Sequence, residues 1–104
     1  MPEIHVIAII TAKPGMRDAL LSVVTANLPA VRAEKGCIEY GPATDVENAG
    51  AFQTLLGTDT FVMVEKWESL EALKAHFAAP HMIAYAAQTR NMVADRTIHI
   101  LSPV

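Results

Sequence analysis

The sequence has a single cysteine and no long apolar run. With only Cys37, no intrachain disulfide can form, and nothing indicates an oxidising compartment. No stretch approaches the roughly 20 consecutive apolar residues that a transmembrane helix needs. The first residues lack the basic segment of a secretory signal. We therefore expect no membrane association and a cytoplasmic location.

Clustered positive charge and nucleotide-binding loops are also missing. The 8 basic residues are scattered singly between Lys13 and Arg96, and 11 acidic residues make the net charge −3. A nucleic-acid-binding surface needs clustered cations, so a nucleic-acid partner is not expected. No glycine-rich phosphate-binding loop occurs, and no Cys or His pair has the spacing of a zinc motif. We expect no nucleotide and no metal.

Apolar residues are abundant instead. They make up 52% of the 104 residues, whereas charged residues make up 18%. A chain of this length forms one domain, here residues 1–104, and a single small core cannot bury so much apolar surface. Part of that surface should line a ligand pocket or a subunit interface, which favours a homodimer.

The periodicity of the apolar residues changes along the chain. Residues 3–12 are apolar and β-branched, which predicts a strand that is buried on both faces. An amphipathic helix of about five turns follows from Met16, with Pro29 expected to kink it or split off its last turn. Alternation in residues 60–67 predicts a half-buried strand. The remaining predicted elements are strands at 37–46 and 96–101, a short extra strand at 51–56, and helices at 70–78 and 81–93.

The order of these elements is β-α-β-β-α-β, with the second helix broken at Pro80. This order predicts an α+β fold of the ferredoxin-like, split βαβ type with an antiparallel sheet.

Several segments together resemble a known family. They are Gly36-Cys37-Ile38-Glu39-Tyr40, the strand-ending Glu65-Lys66-Trp67, and a helix pair with Ala75-His76-Phe77 and Pro80-His81-Met82. The pattern resembles the antibiotic biosynthesis monooxygenase (ABM) family, and its quinol-monooxygenase branch in particular. The resemblance covers almost the whole chain. It implies a dimer of the α/β-barrel type, a pocket between sheet and helices, and oxygen chemistry without flavin, haem or metal.

Two residues on the third strand are candidates for such a pocket. Glu65 is a carboxylate in an otherwise apolar strand, and burying it unpaired would be costly. It can orient a histidine or a substrate hydroxyl, or it can simply face solvent or form a structural ion pair. Trp67 shares its face and can form an aromatic wall or an ordinary core residue.

The broken helix supplies two imidazoles. On a continuous helix His76 and His81 would lie about 140° apart, but Pro80 removes that constraint and allows them to converge. Tyr85 lies one turn after His81, on the same face. Histidine titrates near neutral pH, so either imidazole can act as a general base. Either can equally be a surface or core-edge residue.

These residues suit oxidation of a small aromatic quinol by molecular oxygen. A deprotonated quinol is the better electron donor, so the protein needs a base and a dry aromatic slot. We expect His76 as the base, with His81 and Glu65 assisting it. The slot would be formed by Trp67, Tyr85, Tyr40, Phe61 and Met63.

Other functions remain open at this stage. An isomerase acting on a small phosphorylated carbonyl compound would need a cationic anchor, and Arg90 is the only basic residue of the last helix. A non-catalytic binding protein is a further alternative. Haem degradation is disfavoured, because related haem-degrading proteins carry an asparagine on the first strand and this chain does not.

Overall fold

The computed structural model describes residues 3–104 and shows a four-stranded antiparallel sheet with helices on one face. The strand order is β2-β3-β1-β4, which confirms the ferredoxin-like α+β prediction. Along the chain the elements are β1 (Ile4–Ala12), α1 (Arg17–Arg32), β2 (Cys37–Ala43), β3 (Thr60–Trp67), α2 (Leu70–Ala78), α3 (Pro80–Thr89) and β4 (Val93–Leu101).

The two central strands, β1 and β3, bury one face against the helices. On β3 the buried residues include Phe61, Met63, Glu65 and Trp67, as the alternation predicted. The prediction that β1 is buried on both faces is wrong, because its residues alternate between buried and half-buried. The helices cover only one face of the sheet, so every second residue of β1 points to the open face.

The helices pack through short apolar stripes. On α1 the buried residues are Leu20, Val24, Leu28 and Val31, at helical spacing. The expected split at Pro29 does not occur, and α1 continues to Arg32. The helix tolerates Pro29 because only one backbone hydrogen bond is lost there, on an exposed side. α2 begins at a Ser69 cap whose hydroxyl accepts a hydrogen bond from the Ala72 amide.

One predicted strand is absent, and three predicted boundaries differ from the structure. Residues 51–56 do not form a strand, and β2 ends at Ala43. The chain between β2 and β3 is instead held as a loop by Asp45, whose carboxylate accepts hydrogen bonds from the amides of Leu56 and Gly57. α3 ends at Thr89, and β4 begins earlier than predicted, at Val93.

Gly36 sets how closely the end of α1 approaches α2. Its φ is +88°, and a Cβ at this position would lie 2.6 Å from Cβ of Ala72. The Gly36 carbonyl also accepts a hydrogen bond from the Glu68 amide. The positive φ and the close contact with Ala72 both require glycine at position 36. The turn that Gly36 forms brings Glu34 against α2.

Within residues 3–104, no helix is long and apolar enough to cross a membrane.

Candidate functional site

Two imidazoles meet at one carboxylate beneath the helix pair. Glu34 Oε2 lies 2.8 Å from His76 Nδ1 and 2.7 Å from His81 Nε2. His76 is at the end of α2, His81 is in the first turn of α3, and Pro80 begins α3 between them. The break at Pro80 thus brings together two side chains that a continuous helix would separate. The side chain of His76 is 2% exposed, and that of His81 is 29% exposed.

Aromatic rings surround the His76 imidazole. The centroid of its ring lies 4.7 Å from that of Trp67 and 5.4 Å from those of Tyr40 and Phe77. Trp67 is fully buried, and Phe77 is about half exposed. His76 is therefore held in a largely dry site, with a carboxylate on one ring nitrogen. Among residues 3–104 its only hydrogen bond is the one between Nδ1 and Glu34.

Glu65 lies on the same face of the sheet as His76, but its hydrogen-bond partner is the indole. The Nε1–H group of Trp67 donates to Glu65 Oε1 at 2.9 Å. Burial raises the pKa of Glu65, and the nearby Glu34 carboxylate adds to the increase. The Trp67 hydrogen bond opposes it, as does the charge of His76 when that imidazole is protonated. The proximity of Glu34 and Glu65 makes this cluster rich in acceptors.

The two tyrosines and the cysteine near the cluster stay protonated at neutral pH. Tyr40 lies opposite Glu65 in the β2–β3 ladder, and burial raises the pKa of its hydroxyl far above the usual range. Burial also raises the pKa of Tyr85, and the positive charge of Arg96 opposes this increase. Burial and the charges of Glu34 and Glu65 raise the pKa of the Cys37 thiol. The phenols are therefore hydrogen-bond donors, and Cys37 is not an activated nucleophile.

Phe61 and Met63 lie farther along β3 than Glu65 and Trp67. They are buried on the same face of β3, and Phe61 is four residues from Glu65, or about 13 Å along the strand. Both residues pack in the hydrophobic core that also contains Trp67 and Tyr40. A surface groove of about 840 Å³ lies away from this cluster, between Arg17 and the loop that joins β2 to β3.

Among residues 3–104, no group of three His, Cys, Asp or Glu side chains is arranged to hold a metal ion.

The cluster is most open along α3. His81, Met82 and Tyr85 are half-buried there. The neighbouring edge strand β4 is poorly covered, because Arg96 is exposed and Ile100 is 50% exposed although both point to the helix side. The helix side of β4 is therefore only partly covered by the rest of residues 3–104.

Sequence reasoning missed Glu34, the residue that joins the two histidines. It lies just after α1 and two residues before Gly36, where a charged residue is normally a solvated helix end. Its side chain is only 12% exposed. The glycine at position 36 was the available signal, because a turn that requires glycine often marks a close approach between elements.

The fold and the cluster together define a ferredoxin-like α+β protein with a buried imidazole–carboxylate–aromatic site. Residues 3–88 match the sequence profile of the family described as "Antibiotic biosynthesis monooxygenase". The chain belongs to this family.

Individual relatives agree with that assignment. The chain is 39% identical over 100 residues to the Escherichia coli (strain K12) protein described as "Probable quinol monooxygenase YgiN", covering 94% of this chain and 95% of that protein. Two solved structures, each 26% identical, have similar folds. PA3566 from Pseudomonas aeruginosa has a TM-score of 0.82, covering 100% of this chain and 96% of that one. Rv0793 from Mycobacterium tuberculosis has a TM-score of 0.80, covering 98% and 95%.

Proposed function

We propose that the protein is a cofactor-independent monooxygenase that oxidises a small aromatic quinol with molecular oxygen, using His76 as the general base. The observation that carries this proposal is the environment of His76. Its imidazole packs against aromatic rings, its Nδ1 is bound to Glu34, and its Nε2 makes no hydrogen bond to any of residues 3–104. An imidazole held in this way can accept a proton from a flat phenolic substrate.

The proposed chemistry needs no external reductant. His76 Nε2 takes a proton from a quinol hydroxyl, and the quinol anion passes one electron to oxygen. The resulting substrate radical and superoxide combine to form a carbon–oxygen bond, which gives a peroxide on the ring. Loss of water then leaves a hydroxylated quinone. One oxygen atom enters the product, the other leaves as water, and all four electrons come from the quinol.

The chemistry of the cluster favours a neutral substrate with hydroxyl groups. Glu34 and Glu65 provide acceptors for hydroxyl protons, whereas the phenol of Tyr85 provides a donor. A phosphorylated carbonyl compound, as an isomerase would require, would be repelled by the two carboxylates. Arg90, the cation considered for that role, is exposed at the C-terminal end of α3. The cluster therefore disfavours an isomerase that acts on such a compound.

The proposal includes a homodimer formed through the open face of the sheet. That face carries a patch of four half-buried apolar residues at the centre of β1 and β3. In the ladder, Ile7 is opposite Val64 and Ile9 is opposite Val62. A second copy of the chain would cover this patch. We further propose that the protein acts in the cytoplasm, as the sequence led us to expect.

Oxygen consumption by the purified protein, measured against a panel of quinols in the presence of a chelator, tests this function. We expect turnover with at least one quinol, and we expect His76→Ala to lower the rate by about 100-fold or more. Lys74→Ala is the control, because it removes an exposed side chain from α2, the helix that carries His76. An active His76→Ala with an inactive His81→Ala would move the base to His81. If neither change matters, the oxygenase mechanism is wrong.

A further inference from the structure

The Glu34 carboxylate holds two imidazoles through a single oxygen atom. Its Oε2 is within hydrogen-bond distance of Nδ1 of His76 and Nε2 of His81, and its side chain is 12% exposed. An ionised carboxylate has acceptors and no donors, so each hydrogen bond requires a proton on the imidazole nitrogen. The partner of one ring nitrogen fixes the tautomer of a neutral histidine.

We propose that Glu34 is a positioning residue that selects the tautomers of both histidines and thereby makes Nε2 of His76 the basic nitrogen of the site. His76 carries its proton on Nδ1, and His81 carries its proton on Nε2. The two rings therefore present different nitrogens as acceptors. The claim about catalysis rests on the proposed function, whereas the claim about the tautomers rests on the geometry alone.

The packing around His76 makes this selection effective. The ring contacts those of both Trp67 and Tyr40, and its side chain is 2% exposed, so water cannot readily replace the carboxylate at Nδ1. A ring flip would turn Nδ1 away from Glu34 and leave a largely buried carboxylate without this hydrogen-bond partner, which is unfavourable. Glu34 also ties the end of α2 to the start of α3, which holds the break at Ala79 and Pro80 in one arrangement.

His81 differs from His76 in its freedom to move. Its side chain is 29% exposed and it lies in the first turn of a helix. Its bond to Glu34 therefore restrains a partly solvated ring, whereas the bond to His76 orients a ring that is already enclosed. Loss of Glu34 should release His81 more completely, and should leave His76 in place but with a mixture of tautomers.

Histidine tautomers can be read directly by nitrogen-15 NMR of the imidazole rings, without any substrate. For the wild type we expect His76 as the Nδ1–H form and His81 as the Nε2–H form. Glu34→Gln keeps an acceptor oxygen, so it should preserve the Nδ1–H signal of His76. Glu34→Ala removes the acceptor and should abolish that preference. Glu71→Gln is the control, because it removes an exposed carboxylate from α2.

Kinetics of the same variants link the tautomers to catalysis. We expect kcat to fall by about 10- to 100-fold in Glu34→Ala, by less in Glu34→Gln, and not in Glu71→Gln, with little change in KM. An Nε2–H form of His76 in the wild type, or an unchanged tautomer in Glu34→Ala, would overturn the proposal. If Glu34→Ala does not fold, the wild-type tautomers and Glu34→Gln decide it. If the tautomers are as expected but no quinol is oxidised, the proposed function fails and the tautomer assignment stands.

Discussion

At the scale of single residues, the cluster contains carboxylates whose desolvation is unfavourable. Hydrogen bonds have to offset that cost. Glu65 shares its face of β3 with Phe61, Met63 and Trp67, and only 6% of it is exposed. The indole N–H supplies a hydrogen bond to one of its oxygens. This bond offsets part of the desolvation, but burial still dominates and raises the pKa. Glu65 is thus less stable as a charged group in the folded protein than in the unfolded chain.

The raised pKa of Glu65 predicts how stability changes with pH. As the pH rises above the ordinary value of 4.5, the unfolded chain loses this proton first. The folded protein then binds more protons, so the free energy of unfolding falls with rising pH until the folded carboxyl has also ionised. The Glu65→Gln variant does not lose stability in this way as the pH rises. Its amide oxygen can still accept the hydrogen bond from the Trp67 indole. The free energy of unfolding of Glu65→Gln relative to wild type should therefore increase across that window.

Urea denaturation at a series of pH values measures this difference. Each unit of pKa displacement corresponds to about 1.4 kcal/mol, so the total rise reports the displacement in the folded protein. The exposed Glu71→Gln variant should give a flat difference over the same range. A flat curve for Glu65→Gln would mean that the carboxylate is better solvated than its burial indicates.

The sequence could predict residue types at the site better than their pairings. Alternation placed Glu65 and Trp67 on one face, and the break at Pro80 allowed the two histidines to converge. It could not predict that Glu34 rather than Glu65 binds the imidazoles. That pairing depends on the distance between the end of α1 and α2, which is a tertiary contact without a local sequence pattern.

At the scale of elements, the turn from α1 to β2 controls the geometry of the cluster. Gly36 combines a positive φ with close contact to Ala72, and it follows Glu34 by two residues. The turn therefore couples the packing of α2 to the position of the carboxylate. By contrast, the predicted strand at residues 51–56 failed to form, since Asp45 binds the amides of that segment as a loop. Apolar composition alone did not reveal this competing side-chain contact.

Comparing Gly36→Ala with a second glycine variant separates the cost of the positive φ from the cost of the contact with Ala72. The positive φ should cost about 1–2 kcal/mol of the free energy of unfolding, and the contact with Ala72 should cost more because one of the two elements has to shift. Gly15→Ala is the matched control, because Gly15 has φ +76° and open space around its Cβ position. Denaturation should show a larger loss for Gly36→Ala than for Gly15→Ala. Equal losses would show that the approach to α2 is not tight.

At the scale of the whole molecule, the two faces of the sheet differ in how they are covered. The helices cover one face, and the centre of the opposite face of β1 and β3 is apolar and half-buried in the single chain. The high apolar fraction of the sequence predicted a surplus of this kind. It could not predict which surface would carry the surplus, because that depends on where the helices pack.

The dimer proposed above can be tested at the centre of this open face. Val64 lies on the central strand β3, opposite Ile7, so Val64→Glu would place a charge from each copy in the middle of the interface. Like charges brought together in this way cost several kcal/mol, and a loss of about 3 kcal/mol raises the dissociation constant by more than 100-fold. Sedimentation at micromolar concentration should show a dimer for the wild type and a monomer for Val64→Glu. The matched control is Ile83→Glu, which changes an exposed apolar residue of α3 on the helical side and should remain dimeric. Circular dichroism of Val64→Glu should retain the spectrum of the folded protein, because the residue faces away from the core. A monomeric wild type, or a dimer that tolerates Val64→Glu, would mean that the open face of the sheet is not the subunit interface.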